Sequence, residues 1–144
     1  MIDPQDENAL EKFFHSLSVA MNSVDEQNLL PYYHVPCVFV ATDEKSVCSN
    51  KAQVLERLHR LLAECHSLQG IDHQATVVHT MSLSDSILFA KINWRVCNSQ
   101  NDQCLVCSTS YTLERGGKHG FDIIVSVINE EEKVLDDLRA QMES

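Results

Sequence analysis

The sequence predicts an α+β fold in which helices come first and an antiparallel meander follows. Three observations carry this. The apolar period is helical over the first half of the chain and changes to two from Ile71 onward. The stretches "LSDS", "NSQND" and "RGGKHG" are turns by composition and divide the second half into four runs of strand character. Short links join these runs in order, which favours antiparallel neighbours. At 144 residues, 44% hydrophobic and 22% charged, the chain has the size and composition of one globular domain, taken as residues 1–144.

The first helix opens with Asp3 as cap and Pro4 at the first helical position. Leu10, Phe13, Phe14, Leu17, Ala20, Met21 and Val24 follow at helical spacing and make a core-facing stripe. A shorter helix restarts at Ser23 with Glu26, or at Asp25 alone, and runs through Leu29, Leu30 and Tyr33 with Pro31 bending it. Pro36 ends it, because the residue before a proline avoids the helical region. "CVFVAT" at 37–42 is short and β-branched and reads as a strand, with a brief second strand at "SVCS".

Asn50 and Gln53 form a cap pair for the clearest helix, whose stripe is Val54, Leu58, Leu61, Cys65 and Leu68, widened by Leu55 and Leu62 and closed by Gly70. The four long strands span about 71–82, 86–97, 103–115 and 120–128. "NEEEKVLDDLRAQM", with Val134, Leu135 and Leu138, reads as a short C-terminal helix.

Alternation assigns the strand faces. Leu88, Ala90, Ile92, Trp94 and Val96 form the inner face of the second long strand, and Leu105, Cys107, Thr109, Tyr111 and Leu113 that of the third. Phe121, Ile123, Val125 and Val127 are the corresponding set on the fourth. Trp94 and Tyr111 differ from the rest, since each carries a polar atom that needs a partner when buried. Lys91, Asn93, Arg95, Val106, Ser108, Ser110 and Thr112 point outward, and this face is either solvated or paired with a second copy.

Twenty-one acidic against eleven basic residues give a net charge of −10, which repels phosphate backbones and anionic lipid surfaces, so neither nucleic acid nor membrane is an expected partner. "MIDPQDENAL" lacks the basic and apolar regions of an export signal, so the expected compartment is the cytoplasm. The six cysteines are then expected as free thiols, with Cys97 and Cys104 able to face each other across a hairpin. Cys104 and Cys107 point to opposite faces of one strand and make no metal or redox pair. His59 and His66 are too far apart on the long helix to chelate, and His73 and His79 are set on one strand face about 20 Å from end to end by strand rise. No metal and no cofactor is expected.

The order of elements and several local marks resemble the nuclear transport factor 2-like superfamily, and within it the SnoaL-like and ketosteroid-isomerase-like proteins. The marks are "YYHVPCVFVATDE" at 32–44, the "SN" at 49 and 50, and "STSYTLERGGKHGFDII" at 108–124, in which Phe121 and Ile123 stand for the aromatic and isoleucine of the family's final hairpin. The likeness is greatest to its uncharacterised bacterial members. It implies a curved antiparallel sheet wrapped as a cone around the long helix, an apolar pocket at the open end, and sheet-face dimers. Members use that pocket for isomerisation, dehydration, cyclisation or ligand capture, so the fold alone does not give the function.

In the isomerase-like members a carboxylate late in the first strand removes a proton next to a carbonyl, and a tyrosine on the first helix holds the oxyanion. This chain has Val40, Ala41 and Thr42 near the first place, with Asp43 as the nearest acid, and Leu17 or Ser18 at the second. The remaining catalytic candidates are His34 as base and Tyr33 as oxyanion donor. The same two side chains also suit a plain helix-to-strand corner. The candidate ligand-binding set is Tyr33, His34, Phe39, Trp94 and Tyr111. Three functions are expected from this: capture of an apolar or aromatic small molecule, an isomerase or dehydratase, and a dimerising scaffold whose cone is filled by Phe14, Phe39 and Trp94.

Overall fold

The structure, a computed structural model, describes residues 2–63, 72–98 and 103–137. The elements are α1 (Pro4–Met21), α2 (Glu26–Leu29), a 3-10 turn at Leu30–Tyr32, β1 (Tyr33–Val40), β2 (Lys45–Cys48), α3 (Lys51–Ala63), β3 (Asp72–Ser82), β4 (Ile87–Cys97), β5 (Gln103–Arg115) and β6 (Phe121–Asp137). The six strands make one curved, unclosed sheet in the order β2-β1-β6-β5-β4-β3. α1 packs on β3, and α3 packs on β1 and β2. Leu10, Phe14 and Leu17 of α1, Val54, Leu58 and Leu62 of α3, and Leu88 and Ile92 of β4 meet in one core and are almost wholly buried. Each such side chain contributes about 1.5–3 kcal/mol of burial.

Both helix starts form through the expected caps. The Asp3 carboxylate accepts from the Gln5 N–H at 2.8 Å ahead of Pro4. At α3 the Gln53 N–H donates to Asn50 Oδ1 at 3.0 Å, and the Ser49 N–H donates to Gln53 Oε1 at 2.6 Å. Cys65, His66, Leu68 and Gly70 lie outside the described residues.

The corner after α1 opens on one of the two expected caps and departs from expectation on either side of it. Asp25 is the cap of α2. Val24 sits at φ 53 in the turn between the two helices, outside the helical stripe. The strand starts at Tyr33, so Pro36 lies within β1 and does not end a helix. The ladder to β6 skips from Tyr33 to Val38, and the proline occupies this gap where no ladder donor is needed.

Three further differences are matters of register. β1 runs parallel to β6, so the sheet is mixed and not wholly antiparallel. Residues 129–137 extend β6 and their backbone pairs with β5, from Ser108↔Asn129 to Gln103↔Asp137, in place of the expected C-terminal helix. An isolated helix of that length is marginal in water, and an adjacent strand edge offers every backbone group a partner. Leu138 lies outside the described residues.

The last difference in register is a bulge at Ile124, which lies between the pairs Leu113↔Ile123 and Thr112↔Val125. It inverts the alternation of β6. Phe121 and Ile123 face inward as expected, but beyond the bulge Ser126 is buried and Val127 is 41% exposed. A second bulge, at Val78 between Val77 and His79, does the same to β3: His73 is buried, His79 is exposed, and the two do not share a face.

Cys97 and Cys104 form a disulfide between β4 and β5, across a Cα separation of 4.1 Å, where six free thiols were expected. The two residues are direct cross-strand partners, which brings their side chains together. Cys37, Cys48 and Cys107 are not in a disulfide.

Candidate functional site

The inner faces of the strands, the end of α1 and α3 enclose a cavity of about 60 Å³. Half-buried Met21, Leu61, Leu105 and Ile128 form its apolar edge, and buried Phe39, Trp94, Tyr33, Tyr111, His73 and Ser126 form its interior. A space of this size holds a few waters or the slender part of an organic molecule.

The two phenols of the interior are donors. The Trp94 indole N–H donates to Tyr111 Oη at 3.0 Å, so the Tyr111 hydroxyl accepts this bond and keeps its own hydrogen to give. Burial raises the pKa of Tyr111 above the ordinary tyrosine value. Burial raises Tyr33 well above it, and neighbouring Tyr111 and Cys37 raise it further. Both phenols are therefore neutral at physiological pH and suited to stabilising negative charge on a ligand oxygen. The Ser126 hydroxyl, beside Tyr33, is buried without a partner at hydrogen-bond geometry.

His73 is the imidazole of the cavity. Asn22 Oδ1 accepts from the His73 backbone N–H at 2.6 Å and lies 2.8 Å from His73 Nδ1. The Asn22 amide nitrogen donates to Asp72 Oδ1 at 3.3 Å, which fixes the amide with its oxygen toward the ring. Nδ1 therefore carries the ring hydrogen, and Nε2 is the basic nitrogen. Burial lowers the His73 pKa to about 4, so the ring is neutral at physiological pH.

Of the residues selected from sequence, Tyr33, Phe39, Trp94 and Tyr111 line this one cavity. His34 does not: it is half-buried, with Nδ1 2.9 Å from the Pro36 carbonyl oxygen. Asp43 is exposed in the turn after β1 and does not line the cavity either. His73 and Ser126 were not selected. His73 could have been found from the inward alternation His73, Ala75, Val77, whereas the bulge that turns Ser126 inward has no local sequence signal. Burial, with help from Cys48 close by, pushes the Cys37 thiol up to about 12, which rules it out as a nucleophile at neutral pH. Among the described residues no helix is long and apolar enough to cross a membrane.

Residues 6–143 match the family model described as NTF2-like protein (DUF6841). No curated protein matches the chain. Among solved structures, a protein of unknown function with a cystatin-like fold from Nostoc punctiforme is similar at TM-score 0.70 and 9% identity, covering 94% of each chain. A putative scytalone dehydratase from Novosphingobium aromaticivorans is similar at TM-score 0.68 and 10% identity, covering 92% of this chain and 87% of the other. A ketosteroid isomerase-like protein from Erwinia carotovora atroseptica is similar at TM-score 0.63 and 11% identity, covering 92% and 98%.

Proposed function

The chain belongs to the NTF2-like proteins, in the family DUF6841, and from this we propose that residues 1–144 form one such domain, which binds a small apolar or aromatic molecule in its cone, in the cytoplasm and as a homodimer. The observation that carries the reading is a cavity with aromatic and aliphatic walls and two neutral phenols inside it. Small-molecule sites divide their work in this way: the walls hold the apolar body and a few polar groups fix its orientation.

Trp94 is the chain's one tryptophan and lines the cavity, so its fluorescence reports occupancy. Titration with phenol, indole and cyclohexanone is expected to change that emission in a saturable way, and native mass spectrometry of protein from its own cells is expected to show a bound small molecule. No saturable change with any probe, and no adduct, would leave the scaffold reading in its place.

A second reading is an isomerase, dehydratase or cyclase, and His73 is the observation that favours it. Its Nε2 would take a proton from carbon next to a carbonyl, while the Tyr33 or Tyr111 hydroxyl donates to the carbonyl oxygen as charge develops there. His34 and Asp43 do not line this cavity, so the reading assigns the base to His73. The test is deuterium exchange from solvent into the α-positions of cyclohexanone, followed by NMR. Exchange lost in His73→Gln supports turnover, and exchange no faster than in buffer removes it.

The homodimer would form on the outer sheet face, where Val106, Ser108, Ser110 and Thr112 make a row of short side chains on β5 beside exposed Val127.

A further inference from the structure

Two buried side-chain polar atoms have no hydrogen-bond partner among the described residues: Arg57 Nε and Ser126 Oγ. They come from α3 and β6, far apart in sequence, yet they converge on one residue. The Arg57 charge acts on the Tyr33 phenol through space, and the Ser126 hydroxyl acts on it as a neighbour close enough to interact, although not at ordinary hydrogen-bond geometry. Arg57 is 9% exposed, and its Cζ lies 5.2 Å from the centre of the Phe39 ring. Phe39 stacks on Tyr33 with ring centres 5.5 Å apart, and both rings line the cavity. Arg57 itself does not line the cavity and stands against it through the Phe39 ring, whereas Leu61, one helical turn later, does line it.

Arg60 and Arg115 each hold a carboxylate, Glu44 and Asp6. Arg57 has none within ion-pair reach among the described residues. A guanidinium withdrawn from water with a ring face as its partner is a costly arrangement, and an anion delivered by a ligand would relieve it.

We infer that Arg57, reaching past the Phe39 ring, joins Ser126 to form the anion-binding end of the cavity, and that its ligand is a slender carboxylate whose apolar body lies among Phe39, Trp94 and Tyr111. The inference rests on the reading of the cone as a ligand cavity and adds the chemical class. The guanidinium fork matches a carboxylate, and the Ser126 and Tyr33 hydroxyls supply further donors. Narrowness follows from the cavity volume of about 60 Å³. With a net charge of −10 the protein as a whole repels anions, so a preference for them would report a local cation.

The experiment is calorimetric titration of the protein with hexanoate and 3-phenylpropanoate, each against its primary amide, which matches the shape without the charge. Each acid is expected to bind the wild type at least about tenfold tighter than its amide, a difference suited to one buried charge-assisted contact. Arg57→Gln is expected to abolish that preference. Equal affinity of acid and amide, or a preference that survives in Arg57→Gln, overturns the inference. Amide binding without preference leaves the ligand-cavity reading standing, whereas no binding of either compound removes both. If Arg57→Gln does not fold, Arg57→Lys should keep a reduced preference and Ser126→Ala should weaken acid binding several-fold. An unchanged ratio in both variants is equally fatal.

Discussion

Trp94 and Tyr111 join their polar atoms inside the cone although they are not cross-strand partners. Trp94 is paired with Cys107 and Tyr111 with Ala90, yet the indole N–H reaches the phenol oxygen at 3.0 Å. The indole therefore lies along the inner surface, over the intervening pair of Ile92 and Thr109, and closes part of the cavity wall.

Tyr111→Phe removes the acceptor and leaves the indole N–H buried and unpaired. The expected cost is about 1–3 kcal/mol, read from urea denaturation. Trp94 emission in the folded variant should shift as well, because the excited indole loses its hydrogen bond. A variant as stable as the wild type would mean that another group or water satisfies the indole.

His34 offers a contrast. Its contact with the Pro36 carbonyl oxygen is local and exposed. His34→Ala should lower stability by about 1 kcal/mol or less. Binding of cyclohexanone, followed by Trp94 fluorescence, should not change. Weakened binding would return His34 to the site.

The part of the fold that could be read from sequence was the part set by local chemistry. Asp3 with Pro4 and Asn50 with Gln53 announce two helices, and strict alternation in β4 sorts Trp94 inward. Bulges and distant pairings were hidden, because one extra residue reverses every side chain beyond it without altering composition. Ser126 became a cavity residue in this way, and His73 and His79 parted. Tyr33, Phe39, Trp94 and Tyr111 were legible as inward aromatics, but the meeting of Arg57 with Phe39 joins α3 to β1 and has no signature in either segment.

The Cys97–Cys104 bridge closes a short loop, at a sequence separation of 7. By the chain-entropy account such a loop contributes about 2 kcal/mol. Protein handled without reductant should lose two of its six titratable thiols, with mass spectrometry placing the link between these two positions. Reductant should restore all six and lower the melting temperature. A count of six from unreduced protein would mean that the pair stays open, as a reducing cytoplasm favours.

A dimer formed on the outer sheet face should be broken by one large charge at its centre. Ser110 is half-buried on that face, between Thr112 and Ser108. Ser110→Arg is expected to convert a particle of twice 16.3 kDa into one of 16.3 kDa by light scattering, with melting behaviour otherwise retained. A wild-type mass of 16.3 kDa at micromolar concentration removes the dimer.

The buried neutral His73 makes stability depend on pH in a definite window. Its pKa falls from the ordinary 6.5 to about 4 on folding, so between those values the unfolded chain binds the proton and the folded chain does not. Stability is therefore fully present above pH 6.5 and declines as pH falls toward 4, by about 1 kcal/mol per pH unit at most. Two other acids act lower. Glu44, held down by Arg60, and Asp6, held down by Arg115, have pKa values lowered from 4.5 and 3.8, so their contributions are lost only below those values. The interval from pH 4.5 to 6.5 thus isolates the histidine from them. Urea denaturation across it should give a positive slope of stability with pH in the wild type and a flatter one in His73→Gln, whose amide can keep a hydrogen bond to Asn22 without titrating. Equal slopes in the two proteins would show that His73 titrates alike in the folded and unfolded chain, so that burial does not lower its pKa.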